Sequence, residues 1–168
     1  MKKILVICFC FILIGCSFGK VSGNEFQKEF EKYNDSYLKL DLKNVNAFKF
    51  SSFDEVNQIF SNGSGVILFG KSNDDLTRKV VQVLINVVDN TGIDTIYYLD
   101  SFDDIILNED IPLDMPVVMF VVDGKVLSYH VGTINDKVDL TEDEEISLYN
   151  IYLNGVHDVL QDACDEDC

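Results

Sequence analysis

The sequence predicts a single α/β domain, a central mixed sheet with helices on both faces and an additional helix at its N-terminal side. Three observations carry that expectation. Segments with apolar residues at helical spacing alternate with short, wholly apolar runs of the kind that become strands buried on both faces. In "MPVVMFVVDGKVLSYHVGT" an Asp-Gly pair joins two extended runs and predicts an antiparallel hairpin. The 168 residues, 47% of them hydrophobic and with no internal repeat, fit one domain with its own core. Without tryptophan, 12 Phe and 7 Tyr must supply its aromatic packing.

The first residues, "MKKILVICFCFILIGC", stand apart from that domain. Lys2 and Lys3 precede an unbroken apolar stretch over residues 4–14. A bilayer-spanning helix needs roughly 20 residues, and this shorter stretch fits a secretory signal over residues 1–15. Leu13-Ile14-Gly15-Cys16 resembles the bacterial lipobox. That resemblance implies cleavage before Cys16, a diacylglycerol on its sulfur and palmitate-class acylation, enough for stable anchoring. The alternatives are a signal cut elsewhere or an uncleaved anchor. The expected place is the extracytoplasmic side of the cell membrane, with Cys16 and a Ser/Gly linker over residues 16–24 tethering a domain over 25–168.

Removing residues 1–15 takes away two lysines and no acid, so the net charge moves from −16 to −18. Such a chain repels nucleic acid and anionic headgroups, so nucleic acid is not expected as a partner and the membrane is expected to hold it by lipid rather than by charge. Cys8 and Cys10 leave with the signal. Cys164 and Cys168, in the terminal "CDEDC", then remain as the free thiols.

From residue 25, "EFQKEFEKYNDSY" places Phe26, Phe30, Tyr33 and Tyr37 on one helical face, which is expected to pack on the domain. Leu38, Leu40 and Leu42 alternate with polar residues, and strand character is strongest over 45–50. "SSFDEVNQIFSN" predicts a helix capped by Ser52 and Glu55, with Phe53, Val56, Ile59 and Phe60 facing inward. "VILFG" is a buried strand. A helix follows over 74–90, with Ser72 and Asp75 at capping-box spacing. Its apolar face is Leu76, Val80, Val83, Leu84, Val87 and Val88, and Gly92 stops it. "DTIYYLD" is the next strand, and "SFDDIILNEDIPLD" a loop or short helix. The hairpin spans 116–122 and 125–131 about Asp123-Gly124. A final helix, opened by Thr141 and Glu144, buries Tyr149, Tyr152, Leu153, Val156, Leu160 and Ala163.

This order, with Met115-Pro116 before the hairpin, resembles the thioredoxin fold over residues 45–165. More narrowly, "GVILFG", "GIDTIYYLD", the hairpin, "LTEDE" and "NIYLNGVHDVL" with a following cysteine are similar to exported thioredoxin-like proteins of Gram-positive bacteria. These include bacteriocin-transport accessory proteins. The resemblance puts the family's CxxC register on Asp74-Asp75-Leu76-Thr77, so Asp74 and Thr77 stand where two cysteines would be. It puts the family's cis-proline at Pro116 after Met115, and the glycine lining its peptide groove at Gly132. The acid that many thioredoxins bury six residues before the first cysteine is here Leu68.

Thiol–disulfide exchange needs a thiolate that attacks a disulfide sulfur, and neither Asp nor Thr can form the mixed disulfide. The resemblance therefore implies a redox-inactive module that needs no cofactor. Such a module would hold a peptide or protein partner by strand addition near Met115, Pro116 and Gly132. Asp74 and Asp75 are expected to cap the helix rather than bind a metal. For Cys164 and Cys168 a structural disulfide closing the helix end is expected. The competing readings are a thiol–disulfide oxidoreductase in which this pair replaces the missing motif, and a zinc site with His157. His130 and His157 are expected to be ordinary, partly buried histidines.

Overall fold

The computed structural model describes residues 22–102, 105 and 115–165, with the side chains of 22–24, 44 and 162–165 aside. The elements are α1 (Ser22–Glu31), β1 (Phe48–Phe50), α2 (Phe53–Asn62), β2 (Gly65–Phe69) and α3 (Asp75–Thr91). They continue as β3 (Ile96–Leu99), β4 (Val117–Val122), β5 (Lys125–Val131) and α4 (Glu142–Asp165). The strands form one mixed sheet in the order β1-β3-β2-β4-β5. β3 lies parallel to both β1 and β2, while β4 runs antiparallel to β2 and β5 antiparallel to β4. Among the described residues no helix is long and apolar enough to cross a membrane.

Alternation along the strands divides the core between the two faces of the sheet. Val66 and Leu68 of β2, Ile96 and Tyr98 of β3, and Val118 and Phe120 of β4 meet α1, α3 and α4. Ile67 and Phe69, Leu99, and Val117, Met119 and Val121 meet Val56, Ile59 and Phe60 of α2. Every residue of β2 is buried, which is why "GVILF" is apolar without a gap. On the first face Phe26, Phe30, Phe48 and Tyr98 form an aromatic cluster, with ring centroids 4.3 to 5.4 Å apart along its contacts. Such pairs add about 0.5–1.5 kcal/mol each beyond their buried area, so α1 is held by its own apolar face.

The local signals for the element ends act as the sequence predicts at three places. Ser52 and Glu55 form a full capping box on α2. Thr141 and Glu144 do the same at the start of α4, each side chain accepting the other's backbone N–H. Gly92 ends α3 with φ +68 and donates its N–H to Val88 O. The hairpin turn has positive φ at both Asp123 and Gly124, as a type I′ turn requires. This turn is docked rather than free. Gly124 N–H donates to Gly63 O at 2.8 Å, and a β-carbon on residue 124 would meet the Ser61 carbonyl at 2.9 Å.

Elsewhere the structure corrects the sequence reading. α1 begins at Ser22 and stops at Glu31, so Tyr33 and Tyr37 leave the buried stripe, and Tyr37 is 39% exposed. Leu38, Leu40 and Leu42 do not form a strand. The segment is irregular, with one 3₁₀ turn at Leu42–Asn44, although Leu40 and Leu42 are buried. Strand structure in this region is confined to β1. Leu76, in the first turn of α3, is only partly buried although it shares the row of Val80, Val83 and Val87. On α4, Leu148 and Val159 carry the buried face with Tyr152 and Val156, while Tyr149, Leu153 and Leu160 sit at its margin. The 103–104 and 106–114 part of the expected loop or short helix lies outside the described residues.

Candidate functional site

The residues that the resemblance singles out gather at one end of the sheet. β2 ends at Phe69, and the chain turns through Gly70, Lys71, Ser72 and Asn73 into α3. Phe69 pairs with Val117, which brings Pro116 to the same end, and the Met115–Pro116 peptide is cis. Gly132 follows β5 and donates its N–H to Pro116 O at 2.7 Å. Leu68 is fully buried in the core, where an acid would have no partner.

At the start of α3 the capping residue is Asp74, not Ser72. Asp74 Oδ2 accepts from the Thr77 backbone N–H at 2.7 Å and from Thr77 Oγ1 at 2.8 Å. The two positions on which the resemblance lays a CxxC are thus bonded to one another. A carboxylate satisfies the free helix amide that would otherwise favour a thiolate. Thr77 is fully buried, and its side chain lies against Gly70, where an added β-carbon would come within 2.6 Å of it. Ser72 turns the other way and donates its hydroxyl to Glu29 of α1 at 3.1 Å. Asp75 Oδ1 accepts from the Leu38 backbone N–H.

One residue of this region escaped the sequence reading. Arg78, one turn into α3, is fully buried. Its guanidinium donates to Leu38 O, Phe30 O, Ser72 O and Asn34 Oδ1, and it lies 5.5 Å from the Phe30 ring centroid. Burial lowers its pKa and the charge of Asp75 opposes that. The segment after α1 is therefore fastened onto the N-terminal end of α3, beside the candidate site. Helical spacing sets Arg78 opposite the face of Leu76, Val80, Val83, Leu84 and Val87, and the available signal was Val81 and Ile85, three and seven residues on, which carry apolar character to that side.

The α2-side wall of the same end is apolar. Phe102 stacks on Phe69 with centroids 4.4 Å apart, and Phe102, Met115 and Val131 are partly buried against the α2-face core. Among the described residues no group of three or more His, Cys, Asp and Glu is placed to hold a metal ion. His130 is partly buried as expected, whereas His157 is exposed on α4. Cys16 and Cys168 lie outside the described residues, and Cys164 falls in α4 with its side chain outside them too, so the lipid and disulfide expectations rest on sequence.

No family model matches the chain, and no curated protein matches it.

Proposed function

We propose that the protein is a lipid-anchored, extracytoplasmic thioredoxin-like module without thiol chemistry, which holds an extended peptide or protein partner. The observation that carries this reading is the Asp74–Thr77 pair. It occupies the start of the helix after the central strand, satisfied by its own hydrogen bonds and holding no thiol. The strand order β1-β3-β2-β4-β5, with β4 alone running against the other four strands, supports the thioredoxin-like assignment. So does the position of Pro116 beside the end of β2. The apolar wall of Phe102, Met115 and Val131 supports binding over catalysis, because it offers contact area and no reacting group.

Two measurements test the reading. With dithiothreitol as reductant, the protein should not accelerate insulin reduction; turnover that disappears in Cys164→Ser would establish the oxidoreductase instead. A photoreactive residue in place of Met115 should give a discrete crosslinked partner on intact cells, absent with the same probe at exposed Asp89. Equal labelling from both positions refutes the groove. The anchor is tested separately, by incorporation of a fatty-acid analogue that Cys16→Ala abolishes.

A further inference from the structure

His130 lies in β5 opposite Val118. Its ring meets Tyr152 of α4 edge-on, with centroids 5.9 Å apart and planes at 76°. Its Nε2 is buried and, among the described residues, has no hydrogen-bond partner. A bare imidazole nitrogen tolerates that, since it only forgoes an acceptor bond. In imidazolium both nitrogens are donors, and a buried N–H without an acceptor is costly. Burial accordingly lowers the His130 pKa, and the charge of Asp136 pulls it back up.

The surroundings leave few ways to meet that demand. β4 presents apolar Val118. α4 presents Tyr152, whose phenol burial keeps protonated. Lys137 and Glu144 of this corner are paired with each other at 2.9 Å. Asp136 is the acid whose charge reaches the ring. It sits in a turn with Asn135 and Asp136 both in the left-handed region, at φ +56 and +52. Asn and Asp enter that region more readily than other side chains do, though it is still not their ordinary conformation. Asp136 Oδ1 occupies the space where a β-carbon on residue 132 would stand, and Tyr152 Oη donates to Gly132 O at 3.5 Å. Imidazole, phenol, carboxylate and Gly132 thus form one contiguous corner.

We propose that His130 is a proton switch for the turn over residues 132–137. On gaining a proton its Nε2–H takes Asp136 as acceptor. The carboxylate leaves Gly132, the left-handed pair relaxes, and the backbone that bonds Pro116 shifts with it. The switch stands on this corner alone; only its consequence, control of the wall of a binding groove, rests on the function proposed above.

NMR of the full domain between pH 7.5 and 5 tests it. The His130 ring carbons and the amides of Gly132, Asn135 and Asp136 should move together, with one midpoint below 6.5. In His130→Phe, which keeps a ring on Tyr152, the amides should stay still. In Asp136→Asn the His130 midpoint should fall further, and this variant serves if His130→Phe does not fold. Amides that still move in His130→Phe, or a His130 midpoint unchanged in Asp136→Asn, overturn the switch. Because these readouts involve no partner, a failed Met115 crosslink leaves them interpretable, and their failure leaves the crosslink so.

Discussion

Arg78 Nε donates to the carbonyl of Leu38 at 2.5 Å, so a residue of α3 grips the chain forty positions upstream. Three further acceptors, Phe30 O, Ser72 O and Asn34 Oδ1, share the same guanidinium. No single neutral side chain can serve four acceptors arranged around a planar fork. Arg78→Met should therefore lose about 3 kcal/mol or more, since each bond to a charged donor contributes about 1.5–3 kcal/mol and the carbonyls would be left unmet. Arg78→Lys keeps the charge but not the fork, and should fall between the two. Urea midpoints read both, and a wild-type midpoint in Arg78→Met would show that water replaces the guanidinium without penalty.

The Asp74–Thr77 bonds predict a graded pair of variants. Asp74→Ala removes the cap and should cost about 1 kcal/mol, whereas Asp74→Asn, an equally good cap, should stay within a few tenths. Thermal unfolding separates them. Equal losses would mean that the negative charge, rather than the acceptor oxygen, is what α3 uses.

Gly155 of α4 lies against the Phe120 ring, and an added β-carbon would stand 2.5 to 2.6 Å from three ring carbons. Alanine gains about 1 kcal/mol in helix propensity, but overpacking costs about 1–3 kcal/mol. The clash should win, because Phe120 is itself buried and has no room to withdraw. Gly155→Ala should destabilise the fold, and Phe120→Leu introduced alongside should restore part of the loss. Strictly additive effects in the double variant would show that the two sites do not touch in solution.

Glu144 gives a pH dependence. Its carboxylate accepts from the Thr141 N–H and from Lys137, which hold its pKa down to about 2. A carboxyl with a lower pKa in the folded state binds fewer protons there, so it adds stability above its unfolded value of about 4.3. That contribution fades as pH falls through about 2. Wild type should exceed Glu144→Gln in urea midpoint at pH 7, and the two should converge toward pH 2. The gap should narrow in high salt because the group is near the surface. A gap independent of pH would place the effect in packing instead.

The sequence announced those features whose cause is local. Ser52 with Glu55 and Thr141 with Glu144 are three apart because a first helical turn brings such pairs together. Asp123-Gly124 marks a turn because few residues accept positive φ twice in succession. The errors come where distant chain decides. Leu38, Leu40 and Leu42 alternate like a strand, yet the guanidinium of Arg78 and the carboxylate of Asp75 bond the Leu38 backbone and leave it nothing to give a sheet. Ser72 has the spacing of a cap, but Glu29 of α1 claims its hydroxyl and Asp74 takes over. At the candidate site, which residues occupy the register was legible in the sequence. That the chain after α1 would be pinned alongside depended on Arg78 and an irregular segment forty residues upstream.

Hairpin tips are the usual place to insert a tag, a fluorophore or a second domain, because little else touches them. The tip at Asp123-Gly124 is an exception. Gly124 bonds Gly63 and presses on the Ser61 carbonyl, so it closes the last turn of α2. Residues spliced in there would lift α2 from the sheet along with the whole Val56, Ile59 and Phe60 face. A side-chain label on this protein is better placed on the exposed surface of α3, at Asn86.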